Sequence, residues 1–416
     1  MWPIKQIKTF ARNMRLKENP VFMSMMLMLG TSPLWTKKDL AKLAKAGYQN
    51  CYAVYACVKQ IVEAAGGIPW NLFRRPISST GKREKLEEHP LLDRMRRPNP
   101  QEGGAAFTKN ILAFYLIAGN SYIIKVGPVR GGEPRELYMM RPDRVKVLPG
   151  TRFQPIRGYR YTVGGVDRKP DFKADEVLHL KAFHPLDDWY GLSPIEVAAK
   201  QIDIQAMATE WNARLLENDC RPPGAIVTEG NLDDEQHERL EKQLDKKMLG
   251  YKVAGRPPVF EAGIKWQSFA ITPRDMDWIN SDKLNSRKIC SVFGVAPQLI
   301  GDEESKTFAN YKEARKALYM ETILPLMDYL RDEYNNWLTP AWGDDRLLLE
   351  YDKNAIEAIQ EERNKVYERE ERAYWRTLNE KRRATGDDDI GKAGDIILVP
   401  ATFVPLADIS GNIEEE

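Results

Sequence analysis

Ser193-Pro194-Ile195-Glu196 reads as the opening of a helix. The serine hydroxyl can accept from the first free N–H groups, and proline suits the first helical position, where no N–H is needed. The glutamate stands at the capping-box position. From there the pattern can run to about Asp219, roughly 27 residues or ~40 Å at 1.5 Å per residue, until Arg221-Pro222-Pro223-Gly224 breaks it. Thr272-Pro273-Arg274-Asp275 repeats the same start, and its helix, ending at Gly294, reaches a similar ~33–35 Å. Between the two lies a small insert, 221–270, read as strand (225–228), helix (232–248), strand (258–261) and strand (265–269). So short a piece holds too few core positions to be stable alone and is expected to lean on something else. The helix pair is thus expected to be a stalk that holds the insert away from the body. In the plainer alternative it is a helical hairpin with a decorated loop in a monomer; in the sharper one it is a spoke of a ring. The middle of the second helix, Asn280 to Lys288, is polar nearly all round, which suits water on both sides or packing in an assembly.

Upstream, Tyr52, Tyr55, Val58, Ile61, Val62 and Ala65 predict one face of a helix over 48–65, stopped by Gly66-Gly67. A strand (68–74), a turn-rich piece (75–88), a short helix (89–96) closed by Pro98-Asn99-Pro100 and an apolar helix (107–118) ending at Gly119-Asn120 follow. Short β runs at 121–126, 136–140, 145–148, 159–163 and 177–180, punctuated by Gly and Pro, predict an antiparallel sheet. The body is therefore α+β. Downstream, a helix over 306–338 should kink at Pro325. A charged helix over 354–383 carries Glu368–Arg372 and Glu380–Arg383 spacings. An apolar extended piece follows at 396–400, and Glu414 to Glu416 read as a solvated acidic end.

The chain has 416 residues, too many for one ordinary core and enough for about three units. With 43% hydrophobic residues it is not globally disordered. Its 62 Lys+Arg balance 60 Asp+Glu to leave +2, so it is no basic wrapper of nucleic acid. Four scattered cysteines, no CxxC and only four histidines argue against a structural zinc site or a disulfide-stapled secreted fold, and a reducing compartment fits. Near the N-terminus, basic residues precede an apolar run at 21–29 that imitates a signal peptide. Glu18-Asn19-Pro20 interrupts it, and it is shorter than the roughly 20 residues a bilayer requires. A peripheral or partly disordered arm is expected, with no membrane partner.

Nucleotide-binding, zinc-protease and serine-hydrolase motifs do not occur, and no cofactor is expected. One loose enzyme pattern does: Pro142-Asp143 followed by Asp171-Phe172-Lys173 has the spacing of metal-dependent nucleases, in which two carboxylates hold Mg²⁺ and the lysine orients water. The blander reading places Arg141-Pro142-Asp143-Arg144 in a turn and Lys169-Pro170-Asp171 in a loop. His179 and His184 lack the geometry of paired ligands, and Asp387-Asp388-Asp389 lacks the spacing of a calcium loop. Both are read as ordinary fold or loop residues.

An ordered set of short motifs carries more than any one of them. It comprises Tyr52-Ala53-Val54-Tyr55-Ala56-Cys57-Val58, His89-Pro90-Leu91-Leu92, Arg97-Pro98-Asn99-Pro100, Gly119-Asn120-Ser121-Tyr122, Leu137-Tyr138 and Arg141-Pro142-Asp143-Arg144-Val145. Tyr190-Gly191-Leu192-Ser193-Pro194-Ile195, Arg221-Pro222-Pro223-Gly224 and Phe293-Gly294-Val295-Ala296-Pro297-Gln298-Leu299-Ile300-Gly301 complete it. In these stretches, spanning about 48–340, the chain resembles the portal proteins of tailed bacteriophages, in the large family typical of long-tailed siphoviruses and related prophages.

The resemblance implies a portal fold: an N-terminal arm (1–47), an α+β wing (48–192 and 295–353), a two-helix stem (193–220 and 271–294), a small α/β clip (221–270) and a helical C-terminal crown (354–416). It implies no enzyme but a dodecameric ring at one capsid vertex, in the virion and, during assembly, in the host cytoplasm. Double-stranded DNA would pass through its channel during packaging and ejection. The partners implied are the terminase large subunit, a head–tail adaptor and the major capsid or scaffolding protein. Asp302, Glu303, Glu304, Lys306, Thr307 and Asn310 fall where the family has its tunnel loop. On the stem, Lys283 and Arg287 share a face at i,i+4, with Lys288 beside them. That face either lines the bore or pairs with a neighbour's Asp275, Asp277 or Asp282.

Overall fold

A computed structural model describes residues 44–77, 83–127, 133–151, 154–217, 224–228, 264–268, 278–302, 307–387 and 389–400. Helix α1 (Tyr52–Gly66) follows a π-helical turn, Ala44–Gln49, so the helix begins four residues later than the sequence predicts. Its inward face also differs. Ala53, Val54, Cys57, Val58, Ile61 and Ala65 are buried, whereas Tyr52 and Tyr55 are 67% and 45% exposed. Small side chains win the inner face because they let neighbouring helices approach closely. Strand β1 (Trp70–Arg74) leads to β2 (Glu84–Leu86), which lies inside the piece read as turns. Helix α2 (Pro90–Arg96) is capped by His89, whose ring nitrogen accepts from Leu91 N–H. Helix α3 (Gly104–Ala118) ends at Gly119 in the left-handed region (φ 68°).

The β texture appears as expected, with one addition. Strands β3 (Asn120–Val126), β4 (Glu136–Met140), β5 (Val145–Thr151), β6 (Gln154–Val163), β7 (Val166–Lys173) and β8 (Val177–Lys181) form two antiparallel sheets, ordered β4-β3-β8 and β5-β6-β7. Strand β7 replaces the loop expected around Lys169-Pro170-Asp171. Its charged residues disguise it, and the positive φ of Gly164 and Gly165 makes the two-residue turn that returns it onto β6. Between these sheets sits a small core of Tyr122, Ile124, Met140, Val145, Val147, Tyr159 and Val177.

Helix α4 (Pro194–Val197) and helix α5 (Ala199–Glu217) stand where one continuous helix is predicted; the run is interrupted at Ala198. The Ser193 hydroxyl does cap, accepting from Ile195 N–H, and it donates to Ile117 C=O, which ties the first turn to α3. From the insert, β9 (Gly224–Thr228) and β10 (Ile264–Ser268) pair antiparallel. The helix over 232–248, the strand over 258–261 and the Thr272-Pro273 cap lie outside the described residues. Helix α6 (Trp278–Phe293) runs alongside α5.

Helix α7 (Phe308–Ala317) passes through a π turn, Leu318–Ile323, into helix α8 (Leu324–Trp337). Pro325 explains the interruption: it has no N–H for the carbonyl four residues back, and its ring crowds that carbonyl, so the ladder widens. Strand β11 (Leu347–Tyr351) returns to β1 and completes the sheet β11-β1-β2. The large core gathers α1, α3, α6, α8, β1 and β11 around Ile61, Leu72, Ile111, Ile289, Met327, Tyr334 and Leu349.

The charged tail is two helices, α9 (Gln360–Glu371) and α10 (Leu378–Thr385), not one. Glu380 turns back to accept from Thr377 N–H, and Arg383 pairs with Asp389, so the expected Glu380–Arg383 pair is replaced. Glu370, at 4% side-chain exposure, anchors the junction through Arg369 and Arg376. Removing Arg376 leaves that buried carboxylate with only the more exposed Arg369. Chemical denaturation of Arg376→Ala is expected to show a loss of about 2–3 kcal/mol, against under ~1 kcal/mol for Arg369→Ala.

Candidate functional site

The long pair α5 and α6 is joined by Gln205, whose side-chain N–H₂ donates to Asp282 Oδ1 (2.9 Å) and Ser286 Oγ (3.3 Å). The middle of helix α6 is polar, as its sequence suggests, and its apolar contact lies toward the C-terminal end. Asn285, Ile289, Cys290 and Phe293 are buried against the body, while Leu284 and Val292 face outward. Gly294 (φ 66°) then turns the chain into Pro297–Ile300, a short 3₁₀ segment held from α1: Tyr52 Oη donates to Ile300 C=O (2.7 Å) and Gln60 Nε2 to Leu299 C=O (3.2 Å). The exposure of Tyr52 thus has a use the helical pattern did not reveal.

Asp302 follows, and Arg287 Nε donates to its Oδ2 at 2.6 Å. Arg287 therefore has a partner within its own chain, and Asp282, one of the expected neighbours' acids, has a partner in Gln205; Asp275 and Asp277 lie outside the described residues. The pair was missed because fifteen residues and a left-handed glycine separate its members, and no helical spacing reveals it. Thr307 caps α7 by accepting from Asn310 N–H (3.2 Å), so these two residues come together. Glu303, Glu304 and Lys306 lie outside the described residues. Lys283 is half-buried and Lys288 exposed.

Helix α7 is in turn braced to α9. Lys312 pairs with Glu361 and Lys316 with Glu362, both at 2.6 Å, and Lys365 adds a second bond to Glu362 at 2.8 Å. The two ammonium groups hold the Glu362 carboxyl down to about 2. Asp302, Arg287, the α7 cap and this brace together frame both ends of the segment that begins after Asp302.

The nuclease pattern does not assemble. Asp143 lies in a 3₁₀ turn, as read, and Arg141 grips both its oxygens (3.0 and 2.8 Å). Asp171 is likewise gripped by Arg160 (2.9 and 2.8 Å), which holds its carboxyl below the usual range. The backbone N–H of Lys173 donates to Glu176. Each carboxylate is thus held by a guanidinium in a bidentate pair. Among the described residues no group of three or more His, Cys, Asp or Glu side chains is arranged to hold a metal ion, and no helix is long and apolar enough to cross a membrane. His179 is half-buried, its Nε2 bonded to Asn120 Oδ1 (2.9 Å) and its ring stacked on Tyr122, a fold residue as expected.

The chain is thus an α+β body carrying a paired-helix extension, with many of its polar groups fixed by one another. The chain belongs to the phage portal protein family, whose sequence model matches residues 52–386. It is 37% identical over 352 residues to a protein of Rickettsia felis, covering 83% of this chain and 89% of that one. To the portal protein of Enterobacteria phage HK97 it is 26% identical over 372 residues, 87% of this chain and 84% of the other. A chain from the virion of a native gene transfer agent particle matches at 34% identity and TM-score 0.63, over 87% of this chain and 98% of that one. Another, from the neck of the native particle computed with C12 symmetry, matches at 33% and 0.62, over 88% and 98%. An HK97-family portal protein from Corynebacterium diphtheriae shares the fold (TM-score 0.53, 78% of this chain and 98% of that one) at 11% identity.

Proposed function

We propose that twelve copies of this chain form the ring at the unique capsid vertex through which double-stranded DNA is packaged and later ejected. In this reading α5 and α6 are the stem, the β9–β10 hairpin belongs to the clip, the two-core body is the wing, and α9 and α10 belong to the crown. The clip presents the docking surface for the terminase large subunit and then for the head–tail adaptor, while the wing meets the major capsid or scaffolding protein. The observation that carries the proposal is the match, over 98% of its length, to a chain from a neck computed with C12 symmetry.

Electrostatics supports a conduit. A channel that lets DNA slide must not grip it, because every phosphate neutralised deepens the well from which a motor must pull the duplex. The chain carries only +2 overall, and Arg287 on α6 is matched by the Asp302 carboxylate.

Within that segment Lys306 is the only cation among Glu303, Glu304, Ser305 and Lys306. Lys306→Ala is expected to assemble rings yet change DNA packaging or retention, and the change should shrink as salt rises. Arg287→Ala, which releases Asp302, is expected to affect assembly at least as much. Packaged DNA per assembled procapsid, measured for both variants at two salt concentrations, is the test. Wild-type packaging and retention by Lys306→Ala at both would remove that residue from DNA handling.

A further inference from the structure

Three of the four cysteines come together where α1, α5 and α6 meet the body, and nothing in the proposed channel function uses them. Cys57 on α1 and Cys290 on α6 are both fully buried, and the Cys57 thiol donates to Cys290 Sγ at 3.7 Å across 233 positions of sequence. Cys51, also buried, instead donates its thiol hydrogen to Gln205 Oε1 at 3.3 Å. The first two thiols thus face each other, and the third is turned away toward α5.

We propose that Cys57 and Cys290 form an oxidation site which, exposed to a peroxide, closes into an intrachain disulfide that ties α6 to α1. The sulfurs must approach from 3.7 Å to ~2.05 Å, a movement within reach of side-chain torsions and a small helix shift. The hydrogen bond assigns the roles. Because Cys57 donates, it favours the thiolate on Cys290, whose pKa is lowered, while the Cys57 thiol is pushed up. The Cys290 thiolate attacks one peroxide oxygen; the O–O bond breaks, hydroxide leaves, and Cys290 becomes a sulfenic acid. Cys57 sulfur then attacks Cys290 sulfur, its proton leaves with the sulfenic oxygen as water, and the S–S bond forms. Two thiols have lost two hydrogens and one peroxide has become two waters.

Burial shapes the chemistry. Peroxide reaches Cys290 only when the α1–α6 contact opens locally, so oxidation should be slow in the native fold. Once the sulfenic acid forms, Cys57 already sits against it, and disulfide closure outruns further oxidation to the sulfinic acid. A chain folded in a reducing compartment would hold the dithiol, and one later exposed to an oxidising medium would acquire a covalent brace between the body and the helix leading to Asp302.

The test uses the full-length native protein, treated with hydrogen peroxide, alkylated under denaturing conditions and mapped by mass spectrometry. The expected product is a Cys57–Cys290 linked peptide pair, two hydrogens lighter than the dithiol and separated by a reductant. The oxidised chain should also unfold at a higher guanidinium concentration than the reduced one. Cys51→Ser should still form the link, whereas Cys57→Ser should leave Cys290 oxidised and unlinked. Recovery of Cys57 and Cys290 as free thiols after prolonged oxidation, accumulation of Cys290 sulfinic acid in the wild type, or a link through Cys51 would each overturn the proposal. None of these readouts depends on ring formation, so a failed ring would leave the site standing.

Discussion

Gly191→Ala is expected to yield little or no folded protein. A Cβ at this position would lie 2.1 Å from Gly119 O and 2.6 Å from Ala182 N, both backbone atoms that no rotamer change can move aside. The same place is a hydrogen-bond knot. Asn120 Oδ1 accepts from Gly191 N–H (2.8 Å), its amide donates to Ala118 C=O (2.9 Å) and Gly191 C=O (3.3 Å), and Ala182 N–H donates to Gly119 C=O (2.9 Å). Making room for one methyl group separates the end of α3, the start of β3 and the approach to α4, leaving buried polar groups unpaired at about 1–3 kcal/mol each. The summed loss of about 4 kcal/mol or more is comparable to the whole stability of many domains, ~5–15 kcal/mol. Gly164→Ala is the control. Its φ of 61° strains a β-carbon by about 1 kcal/mol, but nothing lies within 4 Å of it. Soluble yield and denaturant unfolding should separate the two variants; near-wild-type Gly191→Ala would mean the knot is looser than described.

Acid should weaken the fold through His179 well before the carboxylates protonate. Burial beside Tyr122 and Tyr159, with Lys181 nearby, brings its pKa down to about 3. Above pH ~6.5 the ring is neutral whether folded or unfolded, and its contribution is fully present. Below that the unfolded chain takes up a proton which the folded one refuses, so stability falls with pH by about 1.4 kcal/mol per unit until the folded pKa is reached. Between pH 6.5 and 4.5 this amounts to roughly 2–3 kcal/mol. His89, also lowered by burial, adds a slope of the same sign, and Glu362 and Asp344 join only at lower pH. Comparing wild type with His179→Gln across that window isolates the effect: the variant should show the shallower dependence. Equal slopes would place the histidine's proton exchange elsewhere.

Much of the fold could be read in advance because local chemistry decided it. Ser193 caps where its side chain predicts, Gly119 ends its helix in the left-handed region, and β4 has the limits read for its short run. The errors have a common cause. Strand β7 is hidden because Asp167, Lys169, Asp171 and Lys173 cover one face and Arg168 and Pro170 interrupt the other, and the tail helix looks continuous because solvated charges give no sign of where a chain turns inward at Glu370. On α1 the tyrosines seemed the natural inner face, yet close helix approach favoured Ala53 and Cys57. The candidate site was less legible than the fold. Asp302, Thr307 and Asn310 were singled out by position in a resembling family, but their partners come from the tertiary arrangement. Neither the Arg287–Asp302 pair nor the Tyr52 and Gln60 anchors on 299–300 follows a sequence period.

The central claim is that this chain is one spoke of a closed ring. Its most direct test is the mass of the purified assembly by light scattering, with negative-stain imaging of the same fraction. Rings of about twelve subunits around an open centre are the result expected from cyclic closure through head-to-tail contacts. A folded chain that stays monomeric at high concentration would contradict the claim.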